Sequence, residues 1–158
     1  MSSPNEGDPA PAFDLPIDGG GRLSSAALAG KPYVIYFYPK DDTPGCTTEA
    51  IGFSCIYDRF KALGVELIGV SKDSAASHDR FKKKYELIFP LASDESGGVV
   101  EAFGAWVEKS MYGKKYMGID RSTFLVGSDG RIVKAWRGVK VPGHVEEVLA
   151  AAGAVEST

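Results

Sequence analysis

The segment DDTPGCTTEA, residues 41–50, places a cysteine directly after a Pro-Gly pair. Thr43 is a suitable N-cap and Pro44 suits the first position of a helix, which puts Cys46 at the third position. There the sulfur can accept unpaired backbone N–H groups and face the positive end of the helix dipole. Both effects favour the thiolate, so the pattern predicts a reactive thiol.

Three carboxylates close to this cysteine in the sequence act against a thiolate: Asp41, Asp42 and Glu49. We expect their side chains to point to water, where the helix terminus can oppose their effect. The alternative is that Cys46 is a small buried packing residue, which is the commoner fate of a free cysteine. The local chemistry favours the reactive thiol and leaves this alternative open.

The remaining thiol and imidazole groups show no second catalytic pattern. Cys55 is nine residues from Cys46, so the C-x-x-C motif of dithiol reductases is absent. His78 and His144 stand among polar neighbours on predicted helices, and we expect both at the surface. The spacing of these four residues does not match a metal site, and nothing supports a Cys–His hydrolase although spacing does not exclude one.

The elements that position Cys46 are readable from hydrophobic patterning. Tyr33 to Tyr38 form a nearly unbroken apolar run, the pattern of a strand buried on both faces. A helix is predicted from Pro44 to about Leu63, with Gly64 as its C-terminal stop. A second buried strand follows from Val65 to Ser71.

The second half of the chain has a different order. Asp73 or Ser74 is expected to cap a helix that runs to about residue 87. Residues 122–136 contain two strand-like runs joined through Asp129-Gly130, a strong hairpin signal. A last helix is predicted from about Gly143 to Ala152, followed by a frayed tail over 152–158.

A β-α-β half followed by a β-β-α half predicts an α/β, thioredoxin-like fold with a central mixed sheet flanked by helices. The 158 residues suit a single domain, residues 1–158, and show no repeat, linker or low-complexity segment.

Composition limits the classes of partner. With 44% hydrophobic and 25% charged residues and a net charge of −3, the chain is typical of globular proteins and lacks the basic excess of nucleic-acid-binding proteins. No apolar stretch is long enough to cross a membrane, and the N-terminus lacks the features of a signal peptide. Two cysteines do not make a disulfide scaffold, so we predict a reducing, cytoplasmic location.

Two segments resemble a known family. PKDDTPGC, residues 39–46, matches the peroxiredoxin signature P-x-x-x-T-x-x-C, and EKSMYGKKYMGIDRSTFLV, residues 108–126, resembles the segment that carries the family's active-site arginine. The resemblance is to the bacterioferritin-comigratory, or peroxiredoxin Q, branch, and it extends from about Gly7 to Ala151. It implies a peroxidase that acts on hydroperoxides without a metal, haem or flavin.

The resemblance also implies a role for individual residues. Cys46 would be the peroxidatic nucleophile, which becomes a sulfenic acid. Thr43 would offer its hydroxyl to the peroxide and the thiolate, and Pro39 would shield the sulfur from water. Arg121 would hold a fixed positive charge beside the sulfur, and Glu49 would orient that arginine.

The sequence departs from the family at the resolving cysteine. Many members of this branch carry it five residues after the nucleophile, where this chain has Ile51. Cys55 lies half a turn away around the helix from Cys46 and about 13.5 Å along it, whereas a disulfide requires Cα atoms within about 7 Å. We therefore expect a one-cysteine mechanism, with Cys55 a doubtful resolving residue.

The resemblance suggests thioredoxin as reductant and a monomeric protein. Two alternatives stay open: a peroxidase that depends on glutathione or glutaredoxin, and a thiol-based redox sensor or binding module with little turnover.

Overall fold

The computed structural model describes residues 4–156. In chain order its strands are β1 Asp14–Pro16, β2 Arg22–Ser24, β3 Tyr33–Phe37, β4 Glu66–Ser71, β5 Leu91–Ser93, β6 Trp106–Met111, β7 Lys114–Ile119, β8 Ser122–Val126 and β9 Ile132–Trp136. Its α-helices are α1 Pro44–Ala62, α2 Ala75–Tyr85, α3 Gly98–Ala102 and α4 His144–Glu156, and short 3-10 turns span residues 18–20 and 26–28.

The central sheet has five strands in the order β5-β4-β3-β8-β9. β3 pairs in parallel with β4, and β4 with β5, whereas β8 is antiparallel to both β3 and β9. All five residues of β3 are buried, as its apolar sequence predicts. The predicted mixed sheet flanked by helices is therefore confirmed.

Alternate residues of β3 supply two separate cores because successive side chains of a strand point to opposite faces. Tyr36 packs with aromatic side chains of α1 and α2, such as Phe53 and Phe81, and with residues of α4. Phe37 packs on the other face with Phe103 and Phe124, beside residues of α3 and of the N-terminal segment. The sheet is thus covered on both sides, and α1 lies on the Tyr36 face.

Most predicted helix boundaries lie close to the observed ones. α1 begins at Pro44 as predicted, and Gly64, with a φ of 74°, follows its C-cap Leu63. Ser74 is the N-cap of α2 and its hydroxyl accepts a hydrogen bond from Ser77 N. Of the two predicted caps, Asp73 is therefore not the one used.

The C-terminal prediction needs a correction. The hairpin at Asp129-Gly130 forms as predicted, with Gly130 at a φ of 80°. α4, however, continues to Glu156, and Ala152 is fully buried against the core. A frayed tail from residue 152 is therefore wrong as far as Glu156, because Ala152 packs against the core and the helix continues past it; residues 157–158 lie outside the described part.

Two antiparallel hairpins were not predicted. β1 pairs with β2, and β6 pairs with β7 over six residues each, immediately before Arg121. β7 carries only one buried side chain, Ile119, so it lacks the apolar run from which the sheet strands were predicted. Among residues 4–156, no helix is both long and apolar enough to cross a membrane.

Candidate active site

Cys46 lies in the first turn of α1, beyond the C-terminal ends of the parallel strands β3 and β4. Thr43 is the N-cap, with an extended backbone, and Pro44 occupies the first helical position. Cys46 is therefore the third helical residue, and it is 2% exposed. The hydroxyl of Thr43 donates to Lys40 O at 2.9 Å and makes no side-chain cap, so Thr43 caps the helix through its backbone alone.

Arg121, from the segment between β7 and β8, connects two side chains of the first helical turns. Its Nη2 donates to Cys46 Sγ at 3.4 Å and its Nη1 to Glu49 Oε1 at 2.7 Å. Gly45 permits this approach, since a Cβ at that position would lie 3.1 Å from Nη2. The structure thus brings Cys46, Arg121 and Glu49 together, with a fixed cation directly beside the sulfur.

Burial and mutual contact shift the pKa values of Glu49 and Arg121. Burial raises the pKa of Glu49 from 4.5 to about 7, although Arg121 acts in the opposite direction. Burial acts to lower the pKa of Arg121, but the charges of Glu49 and Cys46 outweigh it and the pKa is raised. Glu49 Oε2 is buried without a hydrogen-bond partner among the described residues. The guanidinium is therefore fully charged, while the carboxyl that holds it titrates near neutrality.

The other two carboxylates do not simply point to water. Asp41 is 7% exposed and buried, and Glu49 is completely buried, so the expectation is wrong for both. Asp42 is exposed, but it accepts hydrogen bonds from Lys84 Nζ at 2.8 Å and Tyr85 Oη at 2.6 Å. These two donors, Lys84 first, lower the pKa of Asp42. Asp42 is thus held by α2, whereas Glu49 shares Arg121 with Cys46.

His78 is a buried residue, contrary to the prediction that it lies on the surface. Its Nδ1 is 2.8 Å from Asp41 Oδ2, and its Nε2 is 2.9 Å from Ala92 O. It stands three residues before Phe81, the other buried side chain of α2, and therefore shares its face of the helix. That spacing is the signal that sequence reasoning passed over.

His144 is also buried, and the surface prediction is wrong here for a similar reason. Its Nε2 lies 2.8 Å from Thr123 Oγ1, and its ring meets that of Trp136 edge to face. It stands four residues before the buried Val148, which places it on the inner face of α4. Burial lowers the pKa of His144, so the neutral ring is favoured.

The remaining predicted site residues are Pro39 and Cys55. Pro39 is exposed, and its shielding of the sulfur stays a prediction. Cys55 is exposed and Cys46 buried, both are free thiols, and both belong to the same unbroken helix. Over residues 4–156 there is no group of three or more His, Cys, Asp or Glu side chains that could hold a metal ion.

A groove of about 590 Å³ runs beside the N-terminal half of α1. Its lining is formed by Pro44, Gly45, Thr48 and Gly52 of α1, together with residues 141–143 and the first turn of α4. Gly45 therefore borders both the groove and the guanidinium of Arg121, so the groove lies next to this site.

The chain matches a known family profile and is similar to individual known proteins. The sequence profile of the AhpC/TSA family matches residues 6–135. The chain is 50% identical over 143 residues to a putative peroxiredoxin bcp from Coxiella burnetii, covering 90% of this chain and 95% of that protein. It is also 50% identical over 145 residues to the peroxiredoxin Bcp of Xanthomonas campestris, covering 90% and 91%.

The structure resembles solved structures of the Xanthomonas protein. Peroxiredoxin Q of X. campestris superposes with a TM-score of 0.87 at 48% identity, covering 91% of both chains. Solved intermediate and ligand complexes of the bacterioferritin comigratory protein of X. campestris concern its alkyl peroxide reduction activity. The Xanthomonas protein has also been solved with either of two cysteines, 36 positions apart, replaced by serine.

Proposed function

Because this chain belongs to the AhpC/TSA family and is a peroxiredoxin of the Bcp, or peroxiredoxin Q, type, we propose that Cys46 is its peroxidatic cysteine. The thiolate attacks the terminal oxygen of a hydroperoxide, an S–O bond forms, and the O–O bond breaks. Cys46 becomes a sulfenic acid, and the leaving oxygen takes up a proton and departs as water or an alcohol. The observation that carries this assignment is the 3.4 Å contact between Arg121 Nη2 and the sulfur at the start of α1.

Arg121 and Glu49 have distinct roles in this proposal. The guanidinium stabilises the thiolate and then the negative charge that moves onto the leaving oxygen. Glu49 orients the guanidinium through the 2.7 Å bond to Nη1, which leaves Nη2 directed at the sulfur. The hydroxyl of Thr43, which donates to Lys40 O before substrate arrives, turns to the peroxide when it binds, and Pro39 limits the access of water.

The proposed substrates are hydrogen peroxide and small alkyl hydroperoxides. The alkyl peroxide reduction of the X. campestris protein, at 47% identity, supports the second class. The groove beside Gly45 supports it as well, because its lining contains apolar side chains such as Val141, Pro142 and Val145. An alkyl chain placed there loses its contact with water at the same time as its peroxide reaches Cys46.

We further propose that the sulfenic acid is reduced by an external thiol, with thioredoxin as the donor and a monomer as the working unit. Cys55 is exposed and nine residues along the same helix, and the position 36 residues after Cys46 is occupied by Lys82. In the folded protein, neither position therefore supplies a second thiol close enough to Cys46 to form a disulfide. Two free cysteines are consistent with a cytoplasmic location.

The test is peroxide consumption with matched reductants. Wild type and Cys46→Ser are assayed with hydrogen peroxide and tert-butyl hydroperoxide, using thioredoxin with its reductase or glutathione with glutaredoxin. We expect turnover by wild type with thioredoxin and none by Cys46→Ser, with both proteins folded by circular dichroism. Turnover only with glutathione and glutaredoxin would reassign the electron donor. Near wild-type turnover by Cys46→Ser would overturn the assignment of Cys46 as the nucleophile.

A further inference from the structure

A buried polar cluster connects α2 to the loop that precedes Cys46, here called the Cys46 loop and defined as residues 39–43. Asp41 in this loop accepts hydrogen bonds from Tyr38 Oη at 2.6 Å and Ser77 Oγ at 2.8 Å, and lies 2.8 Å from His78 Nδ1. The side chains of Asp41 and His78 are 4% and 0% exposed. The active-site chemistry described above uses neither of them.

The partners of His78 determine where its protons lie. Nε2 faces the carbonyl oxygen of Ala92, which can only accept, so Nε2 carries a hydrogen. Nδ1 faces Asp41 Oδ2, and a second proton must lie between these two atoms for the contact to be a hydrogen bond. The result is a hydrogen bond inside the protein, and removal of either partner leaves one buried polar atom of the other without it.

A second link joins the C-terminal turn of α2 to the same loop. Asp42 has a φ of 59°, in the left-handed region that only a few per cent of non-glycine residues adopt. Its carboxylate accepts from Lys84 Nζ at 2.8 Å and from Tyr85 Oη at 2.6 Å. These contacts are exposed, so each one is weak by itself, but together they hold the residue of the Cys46 loop that has a left-handed backbone.

The links hold Asp41 and Asp42, which lie two residues and one residue before the N-cap Thr43. A shift of Asp41 or Asp42 therefore moves the first turn of α1, and with it Cys46, relative to Arg121, which reaches the sulfur from a different part of the sheet. We propose that α2 is a clamp on the Cys46 loop, with His78, Lys84 and Tyr85 as positioning residues that keep the sulfur in contact with Arg121. This inference rests on the proposed role of Cys46 as the nucleophile.

The chain offers a matched control on the same helix. Lys82 Nζ lies 2.7 Å from Asp18 Oδ2, in the 3-10 turn of residues 18–20, and that pair does not involve the Cys46 loop. Lys82→Met removes one ion pair of α2, as Lys84→Met does, but leaves the clamp intact. The test compares His78→Gln, the double variant Lys84→Met/Tyr85→Phe and Lys82→Met with wild type.

Three quantities are measured for each protein: the rate of the first reaction with hydrogen peroxide by rapid mixing, the pH titration of thiolate absorbance, and the free energy of unfolding in urea. We expect His78→Gln to slow the first reaction roughly tenfold or more, because sub-ångström displacement of reacting atoms is costly. We expect the double variant to slow it roughly fivefold. In both, thiolate absorbance should appear at higher pH, whereas Lys82→Met should stay within about twofold of wild type.

The clamp would be overturned if His78→Gln and the double variant both showed the wild-type rate of the first reaction and the wild-type titration of thiolate absorbance. A slowing by Lys82→Met equal to that of the double variant would overturn it as well, because general loosening of α2 would then explain both. If His78→Gln does not fold, the double variant at the surface decides the outcome. Failure of wild type itself to react at Cys46 is a different result, which would overturn the proposed function.

Discussion

Arg121 Nη2 lies 3.4 Å from Cys46 Sγ although the two residues are 75 positions apart in the chain. The same guanidinium donates through Nη1 to Glu49, which shares a helix with Cys46. One planar group therefore ties the sulfur to a carboxyl, and Gly45 leaves the space in which it does so.

Removal of the guanidinium should impair the first oxidation. We expect Arg121→Met to slow the reaction of Cys46 with peroxide on the order of 100-fold and to move the titration of thiolate absorbance to higher pH, because a charged donor beside the sulfur is lost. The rate and the titration of Arg121→Lys should lie between those of wild type and Arg121→Met. A lysine ammonium keeps the charge, but it cannot contact both Glu49 and Cys46 as the guanidinium does. Rapid-mixing kinetics and an absorbance titration measure both effects, and wild-type values for Arg121→Met would remove Arg121 from the site.

A methyl group at residue 45 should separate activity from stability. The Cβ of Gly45→Ala would lie 3.1 Å from Arg121 Nη2, so the guanidinium must move away from the sulfur by a few tenths of an ångström. We expect a severalfold slower first oxidation, with a free energy of unfolding that is unchanged or higher by up to about 1 kcal/mol. Gly153→Ala is the control, since among the described residues its methyl group meets no atom within 4 Å beyond the nearby backbone of its own helix. Equal rates in the two variants would contradict the steric argument.

Glu49 should make stability depend on pH in a defined direction. Its pKa is about 7 in the folded protein and 4.5 in the reference state, so the folded protein binds the proton more tightly. Its contribution to the free energy of unfolding is complete below pH 4.5 and is lost as the pH rises through 7, on the order of 3 kcal/mol in total. Glu49→Gln should lack this loss.

The measurement is urea unfolding of both proteins between pH 4.5 and 8. His144, whose pKa is lowered by burial, contributes in the opposite sense below pH 6.5, but it is common to both proteins and cancels in the difference. Glu146→Gln, which removes an exposed carboxylate of α4, controls for the change in charge. A difference between wild type and Glu49→Gln that does not vary with pH would refute the assignment.

Cys55 should not resolve the sulfenic acid. To bring Cys55 to Cys46, α1 must unwind through the fully buried Phe53, at a cost of roughly 2 kcal/mol for that side chain besides the helical hydrogen bonds. We expect mass spectrometry with a sulfenic-acid trap, after one equivalent of peroxide, to find trapped Cys46 in wild type and in Cys55→Ser. A dominant Cys46–Cys55 disulfide, with turnover lost in Cys55→Ser, would establish a two-cysteine cycle instead.

Local features of this protein were predictable because short segments determine them. The apolar run of β3, the start of α1 at Pro44 and the turn at Asp129-Gly130 all depend on residues that are neighbours in the chain. The peroxiredoxin signature around Cys46 belongs to the same category, because the first turn of a helix presents its backbone N–H groups wherever the helix is placed. Neighbouring residues alone were sufficient for the strand, the helix terminus and the thiol within it.

The tertiary structure alone decided which polar groups meet. His78 and His144 have polar neighbours in the sequence, yet both are buried, because packing of α2 and α4 on the sheet turns those faces inward. His78 meets Asp41 from 37 positions away, and Arg121 meets Cys46 from 75 positions away. Such contacts depend on how separate elements pack, and periodicity along one element carries no information about the distance to another. The sequence therefore determined where the thiol stands on its helix, and packing determined the charges that surround it.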